Sequence, residues 1–83
     1  MQVKLADTAY KAINRFKNLS VWDVEEAAQR FIEEAENFCE QAMGTACFEC
    51  YDPENNVTLF CESVNSSELV VYEVRRGNLA GVF

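Results

Sequence analysis

Four cysteines, Cys39, Cys47, Cys50 and Cys61, are the residues best equipped to do chemistry. Cys47-Phe48-Glu49-Cys50 is a C-x-x-C, and four thiolates can close a structural zinc site. A zinc knuckle needs a turn at the C-x-x-C, yet Phe-Glu continues a strand pattern, in which Cys47 and Cys50 point to opposite faces. A thioredoxin-type site needs a helix directly after the motif, and none is patterned there. The cysteines therefore read as small buried hydrophobes of a reducing, cytoplasmic compartment. A cysteine-held zinc protein is the alternative, and an oxidising compartment would allow a Cys47–Cys61 cross-strand disulfide. No metal, cofactor or catalytic residue is assigned.

Histidine is absent, which removes most acid–base catalysis near neutral pH. Ser63, Ser66 and Ser67 stand without a base or an oxyanion loop, and three glycines make no phosphate loop. Asp52-x-Glu54-x-Asn56 echoes a calcium loop but has Val57 where the glycine belongs and Ser63 where the closing glutamate belongs. The remaining acids concentrate on one segment. Asp23, Glu25, Glu26, Glu33, Glu34, Glu36 and Glu40 face a single cation, Arg30.

The element that positions those acids is a long amphipathic helix from Ser20 to Met43. At 100° per residue, Val24, Ala27, Ala28, Phe31, Ile32, Ala35, Phe38, Cys39 and Ala42 share one side, and the acids crowd the other. Ser20 with Asp23 resembles a capping box, Asp23 with Glu26 offers a second version, and Gly44 is a natural stop. Trp22 is expected to staple the helix start by packing on Ala27; placed inside the helix, it would project toward Glu26 and Glu33. An earlier helix is predicted over about Asp7–Asn18, with Ala9, Ala12, Ile13 and Phe16 as its stripe and Tyr10 at the border. Met1, Val3 and Leu5 alternate with Gln2 and Lys4, so a short opening strand is the alternative start, with Asp7 as N-cap. The tight Lys17–Ser20 connection favours a helical hairpin.

After Gly44 the period changes to two. Thr45–Tyr51, Val57–Val64 and Glu68–Arg75 read as strands, separated by Asp52–Asn56 and Asn65–Ser67 turns, with Leu79–Phe83 as a fourth edge strand. The expected fold is α+β in one domain: a helical hairpin (1–43) on a three- to four-stranded antiparallel meander (44–83). Pairing Tyr51 with Val57 and Val64 with Glu68 gives two apolar faces. One carries Ala46, Phe48, Cys50, Phe60, Val70, Tyr72 and Val74; the other carries Cys47, Tyr51, Val57, Leu59, Cys61, Leu69 and Val71. Two helices cover only one of them, so Tyr51, Val57, Leu59, Leu69 and Val71 are assigned to an uncovered homodimer or partner face.

Eighty-three residues suffice for one core, and 49% hydrophobic residues argue against wholesale disorder. No apolar run reaches the roughly 18 residues of a membrane span, and the first residues lack a signal-peptide core. The chain thus reads as soluble and intracellular. Its net charge is −7, spread as +3 over 1–20, −6 over 21–43 and −4 over 44–83. Such a balance disfavours direct nucleic-acid binding and steers the chain toward basic surfaces. The expectation is a non-enzymatic interaction protein of the phage or mobile-element accessory type. It would modulate or inhibit a basic, nucleic-acid-handling protein through Trp22, Glu26, Glu33, Glu36 and Glu40. The competing expectation is a homo-oligomer binding a small ligand between subunits, with Arg75 and Arg76 as anion contacts.

Overall fold

Alternation at the start of the chain is realised as a strand: β1 spans Gln2–Leu5 in the computed structural model, which describes residues 2–34, 46–65 and 67–79. There follow α1 (Asp7–Ile13), α2 (Val21–Glu34), β2 (Ala46–Asp52), β3 (Val57–Asn65) and β4 (Glu68–Arg76). The fold is a small α+β domain. The sheet, however, is mixed, with strand order β1-β4-β3-β2. Its β2–β3–β4 meander is antiparallel as expected, while β1 lies parallel to β4. β1 thus occupies the edge expected for Leu79–Phe83; Leu79 is outside any strand, and 80–83 lie outside the described residues.

The helices pack on the sheet rather than chiefly on each other, so the expected hairpin becomes two separate sheet-covering elements. α1 lies over β4 and β1, and α2 over β1 and β2. Ala6, in extended conformation, is the N-cap of α1 in place of Asp7 and offers no side-chain cap. Tertiary hydrogen bonds anchor the helix start instead. The Ala6 amide donates to Val71 O at 2.9 Å, and the Thr8 hydroxyl donates to Tyr72 O. α1 ends at Ile13, short of the expected Asn18. The Arg15 and Phe16 amides turn back to Ala12 O and Ile13 O, tightening the last turn. Phe16 still packs against the core from beyond the helix end.

The α2 capping box forms in both directions. The Ser20 amide donates to Asp23 Oδ2 at 3.0 Å, and the Asp23 amide donates to Ser20 Oγ at 3.1 Å. Val24, Ala27, Ala28 and Ile32 are buried beneath the helix, and Phe31 packs at its margin. Residues 35–43 of the expected longer helix, and Gly44, lie outside the described residues.

The β2–β3 register is one residue away from the expected one. Asp52 faces Val57 and Phe48 faces Cys61, because the turn keeps only four residues, Pro53 to Asn56. Asn56 closes it at φ 53°, a conformation asparagine tolerates. The β3–β4 register follows the expected pairing from Cys61–Val71 to Ser63–Leu69 and slips by one on either side, at two bulges. The β2 slip brings Cys50 onto the face of Val57, Leu59, Cys61, Leu69 and Val71, which stay together as expected, and takes Cys47 and Tyr51 off it. Val57, Leu59, Cys61, Leu69, Val71, Val74 and Cys50 are buried in the core that the helices cover. The face opposite the described helices is therefore built on Phe60, which is 9% exposed, with Val70 and Tyr72 partly buried and Tyr51, fully buried Thr58, Glu62 and Arg75 around them.

Candidate functional site

The outward side of α2 is where the sequence pattern puts the candidate contact residues. Residues 22, 26, 29 and 33 fall on one stripe of a 3.6-residue helix. Trp22, Glu26, Gln29 and Glu33 are all exposed there, and Glu25 borders them. Trp22 is 68% exposed, so it does not staple on Ala27 but stands inside the helix on the acidic side. The capping box explains this placement. By fixing Ser20 and Asp23 it sets the helical phase, and Val24 takes the inward position while Trp22 is turned outward. Glu36 and Glu40 lie outside the described residues. Gln29 carries no signal of its own in the sequence, although its spacing from Trp22 places it between the two glutamates.

Arg30 leaves this stripe and ties α2 to the end of β2. Its guanidinium reaches Asp52 Oδ1 at 3.3 Å and Glu54 Oε2 at 3.0 Å. The nearly buried Asp52 carboxylate also accepts from the Glu54 amide at 3.1 Å and from Asn55 Nδ2 at 2.7 Å. The residues that echoed a calcium loop are thus occupied in an Asx turn clamped by Arg30. Beside the clamp, Arg30, Phe31, Glu34, Glu49, Cys50 and Asp52 line a shallow cleft of about 240 Å³. Burial, reinforced by the Asp52 and Glu34 carboxylates against the opposing Arg30, pushes the Cys50 thiol up to about 11. That thiol stays protonated and a poor nucleophile at neutral pH.

Cys47 is exposed on the face of β2 opposite the helices, whereas Cys50 and Cys61 are buried on the other. Cys47 sits opposite Glu62 rather than Cys61, which removes the expected geometry for a cross-strand disulfide. Cys39 lies outside the described residues. Among the described residues no three side chains of metal-binding type come together.

Four members of the expected dimer face, Val57, Leu59, Leu69 and Val71, lie under the helices. Tyr51 is on the side opposite the helices, where its hydroxyl donates to Asn56 Oδ1 at 2.8 Å. There Phe60 is held between Tyr72, 6.5 Å away between ring centroids, and the Arg75 guanidinium, 5.7 Å from its ring centre. Gly77, at φ 89°, turns the chain back over this face, so that buried Thr58 donates to Gly77 O and accepts from the Leu79 amide. Arg75 and Arg76 part company: Arg76 lies over Phe16, at 5.2 Å from the ring centre, near the helices.

Among the described residues, no helix is long and apolar enough to cross a membrane. None of the protein-family models, curated proteins or solved structures compared with the chain matches it.

Proposed function

We propose that the chain is a small acidic, non-enzymatic interaction protein that docks the outward side of α2 onto a basic surface of a protein partner and modulates or inhibits it. A nucleic-acid-handling protein of the kind met by phage or mobile-element accessory proteins is the partner that suits this charge. The observation that carries the reading is Trp22, the sole tryptophan, 68% exposed on a stripe with Glu26, Gln29 and Glu33. An exposed tryptophan covers much apolar area at little rotamer cost, and such residues dominate interface energetics. The surrounding carboxylates supply orientation and encounter rate.

The test is salt-stepped capture of partners from a host lysate, followed by affinity measurement on the captured protein. Trp22→Ala is expected to weaken binding by ~30-fold or more. Glu26→Lys with Glu33→Lys is expected to weaken it further and to flatten its salt dependence. Unchanged affinity in both variants discards the reading.

A second reading is a homodimer formed through the sheet face opposite the described helices. It is favoured by the partly buried Tyr72 and Val70 beside Phe60 on the face opposite the described helices. Sedimentation equilibrium checks it, with Tyr72→Glu expected to dissociate the dimer.

A further inference from the structure

The seven cations of this chain are in two situations. Lys4, Arg30 and Arg75 each lie within 4.0 Å of a carboxylate. Lys11, Arg15, Lys17 and Arg76 form no ion pair among the described residues, although acids outnumber bases two to one. Two of these four, Lys17 and Arg76, line the same cleft. It has a volume of about 210 Å³ and lies between the α1–α2 connection and the β2–β3 turn. Asn18 and Asn55 add amides, and Phe16, Leu19 and Val57 add apolar wall. Among the described residues no carboxylate lines it, whereas the cleft beside Arg30 carries Glu34, Glu49 and Asp52.

Arg76 is held over the Phe16 ring at 5.2 Å, which orients the guanidinium without consuming its charge. A guanidinium stacked on one face keeps its N–H edge for a bidentate anion. Together with Lys17 it offers two positive charges, matching the roughly −1.5 to −2 of a phosphate monoester near neutral pH. The cleft is below the ~300 Å³ usual for drug-sized ligands, which suits a small monoester.

We propose that this cleft binds a small organic phosphate monoester, its phosphate on Arg76 and Lys17 and its flat or apolar body against Phe16, Leu19 and Val57. The site is separate from the outward side of α2 and stands or falls without it.

The experiment is an amide NMR titration of the whole chain with adenosine 5′-monophosphate, with adenosine as the phosphate-free control. The expected result is a set of saturable shifts centred on residues 16–19, 55–57 and 76, absent with adenosine. Arg76→Gln is expected to weaken binding ~10-fold, and Lys17→Gln by somewhat less. Both side chains are exposed, so an unchanged thermal midpoint keeps each variant interpretable. The proposal is overturned by an absence of saturable shifts up to about 10 mM nucleotide. It is equally overturned by shifts centred elsewhere, or by equal affinity in Arg76→Gln.

Discussion

The two faces of the sheet are both rich in apolar residues, yet they are built differently. The covered face is made of aliphatic side chains and cysteines, Leu59, Leu69, Val57, Val71, Val74, Cys50 and Cys61, all buried beneath α1 and α2. The face opposite the helices sets aromatics among charges: Phe60, 9% exposed, lies between Tyr72 and Arg75, with Glu49, Glu62 and Glu73 opposite or beside it. Helices demand small, branched side chains that interdigitate. Solvent permits rings only where polar groups share their edges. Hydrophobicity alone does not separate two such faces; side-chain shape and the neighbouring charges do.

The largest effect expected from this contrast is in stability. Leu59, fully buried, should cost about 3 kcal/mol on truncation to alanine, read by urea denaturation. Tyr72, only partly buried on the other face, should cost clearly less despite its greater size. Equal costs would mean that its ring is as enclosed as Leu59. Next comes pH. The Cys50 thiol is raised to about 11, so its neutral form favours the folded state. That contribution is complete below about pH 9, where the unfolded thiol is also protonated, and is lost as pH rises toward 11. After discounting for solvent screening, the loss should be about 1–2 kcal/mol, and absent in Cys50→Ala. Cys47, on the face opposite the helices, should react with a thiol reagent well before Cys50 or Cys61.

Gly77→Ala sharpens the account of how Thr58 is buried on the side opposite the helices. A Cβ there meets nothing within 4 Å, so the cost should be backbone alone, about 1 kcal/mol for φ 89°. The smallest stability effect belongs to Trp22→Ala, within about 0.5 kcal/mol by thermal unfolding, because its side chain is mostly in water. A larger loss would show that Trp22 supports the fold rather than facing outward.

Local features were legible in the sequence and non-local ones were not. The Ser20–Asp23 capping box, the inward side of α2 and the three strands of the meander follow from neighbours in the chain. The parallel pairing of β1 with β4 leaves no local trace, since four alternating residues carry no record of a partner more than sixty positions away. The Phe60/Cys61 bulge, which brings Val74 onto the covered face opposite Leu59, left no local trace either. The acidic stripe was readable from spacing, whereas the outward stance of Trp22 depended on which of two helical phases the cap selected. The Lys17–Arg76 cleft joins a loop to a strand end, a proximity only the folded chain creates.

The parallel pairing of β1 with β4 also has a kinetic consequence. The β2–β3 and β3–β4 hairpins close short loops and can form early. β1 must wait until a loop running from Leu5 to Glu68 has closed, the slowest kind of contact for a chain to find. On a ribosome, Gln2–Leu5 emerges before every other described strand and is expected to dock after them. Its hydrogen bonds then belong to the last step of folding, and weakening them should speed unfolding more than it slows refolding.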